Sequence, residues 1–112
     1  RLHGHQWRVE VWIEGTADER TGIVLDYNCI KEVVGRFDHQ VILNVGDPMA
    51  ACIEAFHPVV TTPGDPTSEL LAGLIADMID AEAARQGLDA RVKKIRVWES
   101  TSCYAERTYD RQ

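Results

Sequence analysis

Two histidines near the start of the chain are the first residues whose spacing indicates chemistry. His3 and His5 flank Gly4 in a stretch of strand-like alternation, so both imidazoles would leave the same face. Their Cα atoms would lie about 6.5 Å apart, which suits two ligands of one zinc ion. The alternative is that two strand histidines line a polar edge and bind nothing. A metal site needs a third ligand, and the remaining histidines are His39 and His57.

A carboxylate beside an imidazole is the second candidate. Asp38 could fix the tautomer of His39 and raise its basicity, which would suit proton transfer near neutral pH. Adjacent side chains on a regular strand point apart, so the pair would act as a unit only in a turn or through a third group. The alternative interpretation is an Asp helix cap beside a surface histidine.

Glu99 and the segment 66–69, Pro-Thr-Ser-Glu, are candidates for ligand binding. Glu99 has the parity of Ile95 and Val97, which places its carboxylate on the buried face of a late strand, at the strand end. There it could pair with an arginine, or accept two N–H bonds from a heterocycle with an amino-pyrimidine edge. The hydroxyls of the segment 66–69 could cap the following helix or contact a bound ring or anion.

Strands and helices are both needed to position these residues. Alternation predicts a strand over residues 3–13, and the apolar residues 23–25 predict a second strand that returns as a hairpin. Helical spacing predicts a short helix that is capped by Asp26 or Asn28 and continues through residues 30–37. A long helix is predicted from the segment 66–69 to Gly87.

Shorter elements complete the sequence-based prediction. They are an apolar stretch over 41–43, a short helix over 49–56, an edge strand over 59–62, a strand ending at Glu99 and a last strand over 102–109. This order predicts an α+β fold, in which an antiparallel sheet carries helices on one face. The short helix through residues 30–37 and the long helix after it leave part of the sheet uncovered, so we expect oligomer contacts there.

Length, composition and charge exclude several classes of protein. The 112 residues predict one domain, and a hydrophobic content of 45% is sufficient for a core. A net charge of −6 disfavours nonspecific binding to nucleic acid or anionic lipid. No apolar run approaches the roughly 20 residues of a membrane span. The three unclustered cysteines fit reduced thiols in a cytoplasmic protein, and the start without Met indicates the remainder of a longer chain.

The order of several motifs resembles the 6-pyruvoyl-tetrahydropterin synthase and 6-carboxy-tetrahydropterin synthase family. These motifs, which span nearly the whole chain, are Leu2-His3-Gly4-His5, Gly22-Ile23-Val24-Leu25-Asp26-Tyr27, Asp38-His39 with Leu43-Asn44, Pro66-Thr67-Ser68-Glu69 and the late Glu99. The resemblance implies the tunnelling fold, in which a four-stranded antiparallel sheet with two helices on one face assembles into a trimeric barrel. Two trimers commonly stack into a hexamer.

The resemblance also implies roles for particular residues. His3 and His5 would be two of three histidine ligands of a catalytic zinc ion (Zn2+). Asp38 and His39 would belong to a catalytic triad with a cysteine. Glu99 would anchor a pterin ring, in a pocket that is also lined by Thr67, Ser68 and Glu69.

The substrate implied is 7,8-dihydroneopterin triphosphate, and relatives differ in the product. A 6-carboxy-tetrahydropterin synthase releases acetaldehyde and triphosphate on the way to queuosine and other deazapurines. A 6-pyruvoyl-tetrahydropterin synthase eliminates triphosphate without carbon–carbon cleavage, and a non-catalytic subunit would only bind zinc and pterin. We expect the first of these activities.

Two family residues fall before the start of this chain. The third zinc histidine lies on a preceding strand, and the nucleophilic cysteine would fall two residues before Arg1. We expect an omitted N-terminal strand that carries both, with a degenerate member as the alternative. Cys29 and Cys103 are expected to be packing residues. The segment 46–64 is long, as in archaeal relatives.

Overall fold

The computed structural model describes residues 7–38 and 40–109, in which five strands and three helices follow one another. They are β1 (Arg8–Gly15), α1 (Tyr27–Gly35), β2 (Val41–Asn44), α2 (Met49–Glu54), β3 (Val59–Thr62), α3 (Ser68–Arg85), β4 (Ala90–Trp98) and β5 (Tyr104–Thr108). No helix in these ranges is long and apolar enough to cross a membrane. The architecture is α+β, as predicted.

The larger sheet has the strand order β1-β4-β5 and is antiparallel throughout its described residues. The register of β1 against β4 shifts between Trp12 and Ile13, whose partners are Lys94 and Val92. The shift leaves Lys93 as the extra residue of a bulge. Val92 thereby joins the face of Ile95 and Val97, and these three side chains are at most 1% exposed.

Helix α3 covers one face of this sheet, which we call the inner face, and α1 packs on α3. Odd-numbered apolar residues of β1, among them Val9 and Val11, pack against the same core. The alternation predicted for the opening strand is therefore confirmed from residue 7 onward. The buried core consists of Val33, Leu71, Ala72, Ile75, Ala76, Ile79, Val92, Ile95 and Val97.

The opposite, outer face of the sheet carries charged and aromatic side chains. Lys94 Nζ lies 4.3 Å from the ring centroid of Trp12, and Arg8 Cζ lies 4.4 Å from that of Trp98. Arg96 Nε donates a hydrogen bond to Glu106 at 2.8 Å. Trp12, which interrupts the alternation of β1 in the sequence, thus belongs to an aromatic and cationic surface rather than to the core.

A small βαβ unit connects α1 to α3. Strands β2 and β3 pair in parallel, and α2 packs on both. The short helix and the strand 59–62 are thereby confirmed. Ile53 is buried in this unit, whereas Phe56 is 78% exposed.

Two details of the predicted fold are wrong. Residues 23–25 form no strand: Ile23 is 49% exposed and Leu25 packs against the core just before Asp26, whose side chain caps α1. A strand of three residues could form only a few backbone hydrogen bonds with β1. The nine-residue β4 can form more, and β1 pairs with β4 instead. The antiparallel sheet accordingly has three strands in the described ranges rather than the four that the resemblance implies, and α2, which the sequence predicts, adds a helix to the two of that implied fold.

Close packing at Gly15 gives a stability prediction. A Cβ added to Gly15, whose φ is +156°, would collide with the carbonyl oxygen of Asp89 and lie 2.8 Å from Ala90 Cα. Gly15→Ala should lower the free energy of unfolding by about 1–3 kcal/mol in urea denaturation. Gly35→Ala is the matched control, since no atom other than its chain neighbours and the backbone of its own helix lies within 4 Å of its added Cβ. Equal stability of the two variants would contradict the account of Gly15.

Candidate functional site

The end of β4 and the start of α3 meet at a hydrogen bond between side chains. Ser68 Oγ donates to Glu99 Oε1 at 3.0 Å, and Ser68 is only 4% exposed. Glu99 directly follows β4 and keeps the inner-face parity of Val97, so its carboxylate reaches the first turn of α3. The placement predicted for Glu99 agrees with this geometry.

A second carboxylate lies at the same hydroxyl. Ser68 Oγ is 3.4 Å from Glu69 Oε2, and both Glu69 and Glu99 are exposed. Because a serine hydroxyl has one proton, it donates to one carboxylate at a time. Among the described residues, most acceptor positions of the two carboxylates therefore remain open, and a ligand with several N–H donors can occupy them.

Thr67 has a different role from its neighbour. Leu70 N–H donates to Thr67 Oγ1 at 3.2 Å, so this hydroxyl caps α3. Of the two alternatives for the segment, helix capping describes Thr67, while Ser68 is directed to Glu99. The cap fixes the first turn of α3 and so positions Ser68 indirectly.

A tight loop holds the main chain of Glu99. Its N–H donates to the carbonyl oxygen of Cys103 at 2.9 Å, which closes the β4–β5 connection. Ser100 Oγ accepts from the N–H groups of Cys103 at 3.1 Å and Ser102 at 3.4 Å. Sequence reasoning missed Ser100, although serine starting a short polar turn is a recognised pattern.

Asp38 lies in a turn just after α1. Its N–H donates to Gly35 O at 3.2 Å, and its carbonyl oxygen accepts from the side chain of Gln40 at 3.3 Å. This turn meets the conformational condition under which Asp38 could act with His39. His39 itself lies outside the described residues.

The proposed zinc ligands His3 and His5 also lie outside the described residues. Within 7–38 and 40–109, no three His, Cys, Asp or Glu side chains are grouped so that they could hold a metal ion. His57, the remaining histidine, is exposed, and its Nδ1 lies 2.7 Å from Pro58 O. Zinc binding therefore stays a prediction about residues 3 and 5.

The cysteines differ in exposure. Cys29 is buried in α1, whereas Cys52 and Cys103 are exposed, so the packing role expected of Cys103 is wrong. Cys103 lies in the β4–β5 loop. The pKa of the Cys29 thiol is raised by burial and, to a lesser extent, by the nearby Glu82 and Glu32 carboxylates.

This difference predicts the order of alkylation. Iodoacetamide at neutral pH should modify Cys52 and Cys103 of the folded protein well before Cys29, because thiolate is the reactive form. Peptide mass spectrometry over a time course measures this order. Labelling of Cys29 at the rate of the two exposed thiols would contradict it.

Comparisons with known proteins show the family to which the chain belongs. The 6-pyruvoyl tetrahydropterin synthase family model matches residues 1–110. A Pyrococcus horikoshii protein with the provisional name 6-carboxy-5,6,7,8-tetrahydropterin synthase is 32% identical over 124 residues, covering 97% of this chain and 75% of the relative. The 6-carboxy-5,6,7,8-tetrahydropterin synthase of Aquifex aeolicus is 29% identical over 117 residues, covering 94% and 72%.

Solved structures support the same fold. An uncharacterized protein of Wolinella succinogenes superposes with a TM-score of 0.75 at 20% identity, covering 98% of this chain and 80% of that one. The 6-pyruvoyl tetrahydropterin synthase of Plasmodium vivax superposes with a TM-score of 0.61 at 22% identity, covering 97% and 83%.

Proposed function

Because the chain belongs to the 6-pyruvoyl tetrahydropterin synthase family, we propose that it is a 6-carboxy-5,6,7,8-tetrahydropterin synthase. In this proposal 7,8-dihydroneopterin triphosphate and water yield 6-carboxy-5,6,7,8-tetrahydropterin, acetaldehyde and triphosphate. Relatives in Pyrococcus horikoshii and Aquifex aeolicus carry the name of this activity, which favours it over other reactions of the family.

The observation that carries the proposal is the Ser68–Glu99 hydrogen bond with Glu69 beside it. The amino-pyrimidine edge of a pterin presents a ring N–H and an exocyclic amino group on one side. A carboxylate accepts these two donors in parallel, as it does from a guanidinium. Glu99 supplies that carboxylate, and Ser68 and the loop at Ser100 restrict its orientation.

Proton transfer is assigned to the Asp38-His39 pair. His39 would move protons between the side-chain carbons and oxygens of the bound pterin, and Asp38 would favour the protonated imidazole. His3 and His5 would supply two of the ligands of the zinc ion. A bound zinc ion acidifies a coordinated hydroxyl, which lowers the barrier for its deprotonation.

A 6-pyruvoyl-tetrahydropterin synthase is the second candidate. The family model and the Plasmodium vivax neighbour both carry that name. The two activities share substrate, pocket and triphosphate release, so the residues at Glu99 serve either reaction. A trimer or hexamer is part of both proposals.

Release of inorganic triphosphate tests whether the protein acts on this substrate at all. The complete, zinc-loaded protein is incubated with 7,8-dihydroneopterin triphosphate, and triphosphate is quantified by ion chromatography. We expect catalytic release that stops after treatment with a chelator and returns when zinc is restored. Unchanged substrate with a zinc-loaded, pterin-binding protein would overturn the enzymatic proposal in favour of a binding subunit.

A further inference from the structure

The side-chain amide of Asn44, the last residue of β2, is held at both of its ends. Its Nδ2 donates a hydrogen bond to Asp65 Oδ1 at 3.0 Å, and its Oδ1 accepts one from the N–H of Gly46, also at 3.0 Å. The N–H of Gly46 requires an oxygen opposite it, so the amide nitrogen must face the carboxylate of Asp65. Asn44 thus uses a donor and an acceptor at once, although the proposed reaction assigns it no role.

Asp65 lies in the connection that leads from β3 into α3. Its carbonyl oxygen accepts from the N–H of Thr67 at 2.8 Å, and Thr67 is the capping residue of α3. Pro66 lies between them, and its ring fixes the backbone φ at that position. Asn44 is therefore linked to the start of α3 by two successive hydrogen bonds, one to the side chain of Asp65 and one from its main chain.

Strand β3 supports the same connection through a buried hydroxyl. Thr62, the last residue of β3, is 1% exposed, and its Oγ1 donates to the carbonyl oxygen of Gly64 at 2.5 Å. The carbonyl oxygen of Thr62 accepts from the N–H of Val45, the residue after Asn44, at 2.8 Å. The ends of β2 and β3 are thus tied to each other and to residues 64 and 65, so the small βαβ unit holds the connection that enters α3.

The first turn of α3 determines where the hydroxyl of Ser68 lies. Ser68 directly follows the capping residue Thr67, and its Oγ donates to Glu99 Oε1. Ser68 is buried, whereas Glu99 is exposed, so the hydroxyl is the more constrained of the two partners. A shift of the connection before α3 would move this hydroxyl and leave the carboxylate of Glu99 without its donor.

We propose that Asn44 is a positioning residue of the pterin site, which acts through Asp65 on the first turn of α3. The proposal rests on the proposed function, because Glu99 anchors a ring only if the ligand is a pterin. Asn44 then contributes to pterin affinity through the orientation of Glu99 and not through a contact with the ligand. The small βαβ unit acquires a role as the support of this site.

Asn44→Asp is the sharpest variant for a test. It preserves the size of the side chain and the acceptor for Gly46, but it loses the donor and places a second carboxylate against Asp65. Fluorescence titration of the complete protein with 7,8-dihydroneopterin should show about 10-fold weaker binding. Asn28→Asp makes the same chemical change at an exposed position of α1 and should bind normally.

The reciprocal exchange tests whether the hydrogen bond itself matters. In the double variant Asn44→Asp with Asp65→Asn, donor and acceptor trade places, so pterin affinity should return close to that of the unmodified protein. Asp65→Asn alone retains an acceptor oxygen for Asn44 and should bind nearly normally.

A background without the Ser68 hydroxyl tests the route of the effect. In Ser68→Ala, Asn44→Asp should weaken pterin binding little further, because the group that Asn44 positions is already missing. A general loss of stability would instead lower the affinity by the same factor in both backgrounds.

Three outcomes would overturn the inference. They are unchanged pterin affinity in folded Asn44→Asp, no recovery in the reciprocal double variant, and an equal effect of Asn44→Asp with and without Ser68. The unmodified protein separates this failure from that of the proposed function. If it binds 7,8-dihydroneopterin and Asn44→Asp binds equally well, only the role of Asn44 fails; if the unmodified protein does not bind this ligand, the proposed function fails and the role of Asn44 fails with it.

Discussion

Replacing Glu99 by glutamine is expected to weaken pterin binding by about 100- to 1,000-fold. The amide loses the negative charge and places an N–H₂ group where the ring presents donors, so two charge-assisted hydrogen bonds are lost. Fluorescence titration with 7,8-dihydroneopterin measures the affinity, and metal analysis measures zinc. Zinc content should be unchanged, because the proposed ligands are His3 and His5.

Glu106→Gln is the control for this variant. Glu106 lies on the outer face of the same sheet and pairs with Arg96, so its replacement removes a carboxylate without touching the pterin site. We expect a wild-type dissociation constant. Unchanged pterin affinity in a folded Glu99→Gln protein would refute the anchoring role of Glu99.

Replacing His39 by alanine should leave zinc and pterin bound and slow turnover by about 100- to 10,000-fold. Loss of the general acid–base group removes a proton-transfer path that water replaces inefficiently. Binding is measured by titration, and turnover by the rate of triphosphate release at substrate saturation. The effect should therefore fall on kcat rather than on the dissociation constant.

His57→Ala is the matched histidine control. His57 is exposed after α2, in the small βαβ unit, and its ring contacts the carbonyl oxygen of Pro58. We expect normal turnover of this variant. Equal turnover of His39→Ala and the unmodified protein would remove His39 from the mechanism.

The parts of the fold that follow from local patterning could be predicted. The parity of Val9, Val11 and Val97 identifies the inner face because one side of the sheet is covered by α3. Helix α3 was expected from the segment 66–69 to Gly87 and extends over Ser68–Arg85, since its cap and its glycine stop are local features. Residues 23–25 were misassigned because β1 pairs with β4, whose residues lie 75 to 90 positions further along the chain, and a short stretch of sequence does not reveal that partner.

In the site, too, features set by local sequence patterns could be predicted, whereas contacts between distant residues could not. The alternation of β4 predicts that Glu99 lies on the inner face, and the helix start predicts the position of Ser68. The hydrogen bond between these two side chains could therefore be predicted from the sequence. The hydrogen bond between Asn44 and Asp65 joins residues that are 21 positions apart and depends on how the end of β2 lies against the connection into α3. Spacing along the chain contains no information about that arrangement. The bulge at Lys93 is equally invisible in the sequence.

The most direct test of the proposed reaction is a mass balance of its products. The complete, zinc-loaded protein is incubated with 7,8-dihydroneopterin triphosphate, and all products are identified by mass spectrometry with a hydrazine trap for acetaldehyde. The account predicts 6-carboxy-5,6,7,8-tetrahydropterin and trapped acetaldehyde in equal amounts. Triphosphate release with a 6-pyruvoyl product and no acetaldehyde would contradict it and establish the pyruvoyl-forming reaction instead.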